Sequence, residues 1–156
     1  MRDGPAVSPA SEAAPAPHRF DFVHNRELRP IVEQAFSESQ LALEQGRYGV
    51  ALLTSCGILD AIVSDALEHR GLTALAAADV PAEKIADWSF EARLAVAERL
   101  GLIRGGCARL PPIARQYRDL ANADGEWSAS VTVSERDARL AGQVLHVIMR
   151  DLDPGR

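Results

Sequence analysis

Apolar residues recur at helical spacing in successive stretches of this chain, divided by glycine, proline and short polar stops. Leu28, Ile31, Val32, Ala35, Phe36, Ala42 and Leu43 follow one another at the spacing of a helix face and predict a helix from Arg26 or Leu28 to Gln45. Pro30 fits only near its start, because further in it would remove a backbone hydrogen bond. Gly46 ends it. A second helix is predicted from Tyr48 to Arg70. Leu52, Leu53, Cys56, Ile58, Leu59, Ile62, Val63, Ala66 and Leu67 make it apolar on nearly every side, as befits the central helix of a bundle. Asp60 lies in its middle. A buried carboxylate is costly unless paired, which implies a basic or hydrogen-bonding partner.

Beyond Arg70 the pattern breaks into short helical pieces over 72–87, with Pro81 at a plausible first turn. Ser89 is placed to cap a helix from Phe90 to Leu100, closed by Gly101, and RGG at 104–106 marks a loop. Pro111 and Pro112 open the next helix, which runs to about Ala123 and stops at Gly125. VTV at 131–133 is at most a short extended connector. Ser134 and Asp137 form a capping-box-like start to a last helix, whose inward stripe is Ala138, Ala141, Val144, Leu145, Ile148 and Leu152. The expected fold is all-α, an antiparallel helical bundle of four main helices plus short helical pieces. Residues 1–24, rich in Ala, Pro and Ser with little to bury, read as a disordered tail. The helical domain is expected over 25–153.

Composition narrows this picture. The 156 residues suffice for one domain with a real core. Apolar residues make up 47% but aromatics only 5%, so Leu, Val, Ile and Ala build the core, a mixture that favours helices. A net charge of −5 argues against a protein that grips nucleic acid with its whole surface, while leaving room for a local patch. Lys84 is the single lysine among 17 basic residues, which coding bias explains as well as function does. Cys56 and Cys107 lack disulfide-framework or zinc spacing and read as free thiols in a reducing compartment. No metal or cofactor motif appears. The first residues lack a signal-peptide apolar core. The most apolar segment, Val50 to Leu67, is interrupted by Thr54, Ser55, Asp60, Ser64 and Asp65 and reads as a buried helix, not a membrane span. A cytoplasmic protein with no membrane partner is expected.

Candidate chemistry concentrates in RQYRDLANADGEW, Arg115 to Trp127. At about 100° per residue, Arg118, Asp119 and Asn122 fall within about 60° of Arg115, opposite Leu110, Ile113, Tyr117, Leu120 and Ala121. Arg104, Arg109, Arg115 and Arg118 lie in a stretch without an acid, the one local basic run in an acidic chain. Such a face is most often simply solvated. Arginine's planar fork of donors nevertheless makes this stretch a candidate phosphate site.

These segments together resemble the HEPN-like helical domains of bacteria, a group that includes metal-independent ribonucleases and toxin components. NRELRPIVEQAFSESQLALEQGRYGVALLTSCGILDAIVSDAL is similar to the family's opening helix pair, with Asp60 at an acidic position. WSFEARLAVAERLGLI is similar to the middle helix, RQYRDLANADGE to the motif helix and SERDARLAGQVLHVIMRDL to the closing helix. Carried over by position, Arg115 matches the arginine several residues before the family's histidine, and Arg118 the arginine of its Arg-Asn pair. Asp119 stands where asparagine is usual, Asn122 where the histidine belongs and Ala123 where proline often follows.

The resemblance implies a site that activates a ribose 2′-hydroxyl against the adjacent phosphate, within a homodimer whose motif helices face each other. Histidine can move a proton near neutral pH, whereas an asparagine amide only orients by hydrogen bonding. Loss of a general acid or base typically costs about a hundred- to ten-thousand-fold in rate. Arg115 and Arg118 keep the charge-stabilising half of the device, with Asn122, Tyr117, Asp119 and Arg109 around them and Asp60 as a candidate acceptor for Arg115 or Arg118. His18, His24, His69 and His146 read as surface or satisfied histidines, His69 within reach of Asp65, and His146 as the nearest substitute base. Three readings stand at this point. The first is a non-catalytic module binding RNA, a nucleotide or a protein such as a cognate antitoxin. The second is an active metal-independent ribonuclease of toxin type. The third is a plain helical dimerisation domain.

Overall fold

The computed structural model describes residues 19–70, 84–116 and 132–154, with Arg115 and Gln116 described through their backbone alone. Four α-helices occur among them, and no β-strand: α1 (Leu28–Glu44), α2 (Tyr48–Arg70), α3 (Phe90–Arg99) and α4 (Glu135–Leu152). Short 3-10 turns occupy Ile85–Asp87, Gly106–Arg109 and Pro112–Gln116. The chain is therefore all-α over its described part. The helix expected from Pro111 to Ala123 is met only as its opening turn, and its remainder lies outside the described residues.

Local chemistry sets the helix ends. Pro30 sits in the first turn of α1, where its missing N–H leaves no gap. Gly46 closes α1 at φ 76°, a left-handed conformation that glycine adopts without strain, and the Arg47 N–H then reaches the Ala42 carbonyl at 2.8 Å. The Ser89 hydroxyl accepts the Ala92 N–H at 3.1 Å to start α3. The Ser134 hydroxyl does the same for Asp137 at 3.1 Å to start α4.

α2 is the axis of the packing. α1, α3, α4 and the turns Ile85–Asp87 and Pro112–Gln116 all rest against it. Leu52, Cys56, Leu59, Val63 and Leu67 along its length have no exposed surface. By length and composition α2 would also suit a membrane crossing, but its neighbours cover its apolar surface. Where α1, α2 and α4 draw together, small residues permit the approach: Ala42, Ala51 and Ala138 form a second buried cluster. Nearby, the buried hydroxyls of Ser39 and Ser55 bond across α1 and α2 at 3.0 Å, so neither is left without a partner.

Three positions depart from the sequence pattern. Phe20 and Val23, read as tail, belong to the core at 1% and 0% exposure. Asp65 of α2 accepts the backbone N–H groups of His24 at 2.8 Å and Asn25 at 2.9 Å, and Arg29 Nε donates to the Val23 carbonyl at 2.7 Å. The Phe20 ring meets Phe36 edge-on at 5.9 Å, and the Arg19 guanidinium lies 4.4 Å over the same Phe36 ring. Two apolar residues in an Ala/Pro-rich context carry no periodicity, which is why the boundary near Asn25 was set too late. Ile31 departs in the other direction and is 63% exposed. It lies about 100° round the helix from Val32, off the stripe that Val32, Phe36 and Ser39 turn inward.

Phe20→Ala should destabilise the full chain by about 3–5 kcal/mol, as expected for loss of a large buried ring. Urea unfolding read by circular dichroism measures it. An unchanged midpoint would mean that residues 19–24 contribute nothing to the folded body.

Candidate functional site

Asp60 was expected to need a basic partner, and it has one. Its Oδ1 accepts from Nη1 of Arg93 on α3, both side chains being buried. Arg93 also donates through Nε to the Ile85 carbonyl at 2.9 Å and through Nη2 to the Ala86 carbonyl at 2.7 Å. The guanidinium is thus satisfied on three sides, as a buried charge requires. The partner named from the sequence was Arg115 or Arg118. The Arg115 side chain and all of Arg118 lie outside the described residues, and the ion pair found is made by a residue passed over in the sequence. A signal for Arg93 existed. It shares the inward stripe of α3 with Phe90, Leu94 and Ala97, where an arginine is out of place unless a buried acid awaits it.

Tyr117, Asp119 and Asn122 likewise fall outside the described residues, and the backbone of Arg115 ends the turn Pro112–Gln116. That turn packs on α2, with Ala114 fully buried. The base of the motif segment is therefore seated on the same helix that carries Asp60.

The front of the basic stretch is described in full. The turn Gly106–Arg109 packs on α4, anchored by buried Cys107 and Leu110. The Arg104 N–H donates to the Asp151 carboxylate of α4 at 3.0 Å. Arg104 and Arg109 then flank a cavity of about 270 Å³, completed by Leu140, Gln143, Val144 and Val147 of α4. Among the described residues its lining contains no acid and no group able to take up a proton near neutrality. Among the described residues neither guanidinium has an ion-pair partner. Leu140 and Gln143 also border an adjoining depression of about 670 Å³ with Arg136 and Arg139. Positions 136, 139, 140, 143 and 147 fall on one helical stripe, which brings Arg136 and Arg139, with Glu135 beside them, to a depression that adjoins the cavity. Arg139 is partly neutralised, because its Nε donates to Glu135 at 2.7 Å. That bond, followed by one from the Tyr48 hydroxyl, holds the Glu135 carboxyl below its ordinary range. Partial burial and the same carboxylate push the Tyr48 phenol up. Sequence reasoning placed Arg104 and Arg109 in one basic stretch but did not join them to Arg136, Arg139 and Gln143, because only packing of the RGG loop on α4 brings these residues together.

The remaining candidates are placed elsewhere. His146 presents its ring edge-on to Phe36 of α1 at 5.4 Å, off the basic stripe. His69 stacks on His24 at 3.5 Å, and Asp65 serves His24 rather than His69, with Nδ1 at 3.2 Å. Cys56 and Cys107 are buried and are not joined by a disulfide. Burial, helped by the Asp60 charge, pushes the Cys56 thiol up to about 12. No group of three or more metal-ligating side chains is gathered among the described residues. Compared with family models, curated proteins and solved structures, the chain matches none.

Two outcomes follow from these contacts. Asp60→Ala should cost about 3–5 kcal/mol, because it strands a buried guanidinium, whereas Asp60→Leu combined with Arg93→Met should recover much of that loss. Thermal melts of the three variants decide it, and an unchanged melting temperature for Asp60→Ala would remove the pair from any structural role. The raised Cys56 thiol should act at alkaline pH. Its folded pKa exceeds the ordinary value of 9.0, so its contribution is intact below 9.0 and is lost as pH rises towards about 12. Denaturant midpoints across that window should fall for the wild type and fall less for Cys56→Ala.

Proposed function

We propose that this chain is a HEPN-like helical domain, built as an antiparallel bundle, that acts in the cytoplasm as a homodimeric, non-catalytic RNA-binding module. The observation that carries the binding role is the cavity lined by Arg104 and Arg109, with no acid among its described lining residues, beside the depression that holds Arg136 and Arg139. Two arginines on one cavity, without an ion-pair partner among the described residues, suit a phosphate-bearing ligand. The described lining residues orient and attract but offer no base, in keeping with an amide at Asn122 where the family carries histidine. The antiparallel reading has local support in α1 and α2. Ser39 pairs with Ser55, while Ala42, later in α1, clusters with Ala51, earlier in α2. The dimer rests on the family resemblance.

The test is fluorescence anisotropy of a short single-stranded RNA titrated with the full chain in chelator, at about 50 and about 200 mM salt. Contacts from Arg104, Arg109, Arg136 and Arg139 to three or four phosphates predict a log–log salt slope of about −2 to −3, an affinity roughly 20- to 50-fold weaker at the higher salt. Arg104→Ala should reduce that slope by about 0.7, and the RNA should be recovered intact. Absence of binding at low salt refutes the binding role. Cleavage by the wild type refutes the non-catalytic one.

A further inference from the structure

We propose that the cavity between the RGG loop and α4 is a subsite for one nucleotide, its phosphate held by Arg104 and Arg109 and its base laid on Leu140 and Val147 with its edge at Gln143. This rests on the RNA-binding reading and assigns a ligand class to one part of that surface.

The cavity is mixed in a way that a simple anion site is not. Its lining joins two arginines, Arg104 and Arg109, to the aliphatic Leu140, the buried Val144 and the 36%-exposed Val147. Inorganic phosphate would leave the aliphatic side wet and unused, and a purely apolar ligand would leave two cations facing it. A nucleotide has both halves, a charged group for the arginine forks and a flat ring for the aliphatic wall. The lining also includes Gln143, whose amide offers a donor and an acceptor, the complement of a base edge. At about 270 Å³ the cavity is at the lower edge of small-ligand sites, which run from about 300 to 1,000 Å³, so it holds one nucleotide unit and not a folded element.

The loop is built to keep its arginines in place. Gly105 takes φ 86°, the left-handed turn that glycine adopts without strain, with the Glu98 carboxylate of α3 at 3.3 Å from where its Cβ would stand; a Cβ on Gly106 would stand 3.1 Å from Val147 Cγ1, so Gly106 lets the backbone lie directly on α4. The Asp151 carboxylate on the Arg104 N–H and the buried Cys107 and Leu110 fix the same loop. Arg104 and Arg109 therefore project from a braced backbone, which lowers the ordering cost of binding. The same nucleotide chemistry could be free or be the end of an RNA strand. The adjoining depression with Arg136 and Arg139 provides the path along which a strand would continue.

The experiment is isothermal titration of the full chain with adenosine 5′-monophosphate, adenosine, inorganic phosphate, and an RNA oligomer with or without a terminal phosphate. The monophosphate should bind one per chain and at least about tenfold more tightly than adenosine or phosphate alone. Arg104→Ala and Arg109→Ala should each weaken it about tenfold or more, and Val147→Glu should abolish it. These three side chains lie at the surface, and a melt of each variant reports its folding. A terminally phosphorylated oligomer binding more tightly than both the unphosphorylated one and the free nucleotide assigns the subsite to a strand end. Equal affinity for the free nucleotide and the phosphorylated oligomer assigns it to the free nucleotide. Monophosphate binding no tighter than phosphate, or unaffected by the three substitutions, overturns the subsite. If RNA binds with the expected salt slope while the monophosphate does not bind, the subsite falls and the RNA-binding reading stands. If neither binds, both fall.

Discussion

The buried pair of Asp60 and Arg93 is the interaction on which the arrangement of this protein depends. A helix apolar on every side, such as α2, can be surrounded in many rotational settings, since hydrophobic burial is not directional. A carboxylate in its middle removes that freedom, because one setting alone brings Oδ1 to a guanidinium. Arg93 adds a second constraint by binding the carbonyls of Ile85 and Ala86, so α3 and the turn before it are registered against α2 at once. The pair contributes orientation more than net stability, since two well-packed apolar residues could fill the same space.

Once α2 is enclosed, the outer surfaces are free for other work. α4 turns Ala138, Ala141, Val144, Leu145 and Ile148 inward, and this division leaves Arg136, Arg139, Gln143 and Val147 facing out. The RGG loop then lands on that outer face because Gly106 allows contact with Val147, and the loop brings Arg104 and Arg109 with it. The cavity thus follows from two separate choices, an amphipathic helix and a loop with a glycine where it touches that helix. Neither alone concentrates positive charge. The protein remains acidic overall, so the local field at this face is opposed by the rest of the surface and acts at short range.

Much of the helical architecture was legible because it is written in local terms. Ser89 and Ser134 cap as expected, since an N-cap needs only its own next three residues. Gly46 and Gly101 stop their helices for an equally local reason, the left-handed backbone at a helix end. Asp60 announced a partner but not which one, because the cost of burial belongs to the carboxylate whereas the guanidinium comes from a residue 33 positions away. Phe20 and Val23 gave no sign, since their burial depends on Asp65 gathering the backbone of His24 and Asn25 from 41 and 40 residues off. The basic run from Arg104 to Arg118 was visible as a run, but the surface that receives Arg104 and Arg109 was not.

By itself the sequence determined that the chain is helical, where its helices start and stop, which helix is central, and that an acid within that helix must be met. Periodicity, capping and the cost of an unpaired buried charge are properties of a few neighbouring residues, so they survive without coordinates. Tertiary structure alone decided that Arg93 meets Asp60, that residues 19–24 belong to the body, and that a loop and a distant helix share one cavity lined by arginine. Those are meetings between residues far apart in the chain, and only the packing of elements already formed brings them within a few ångströms.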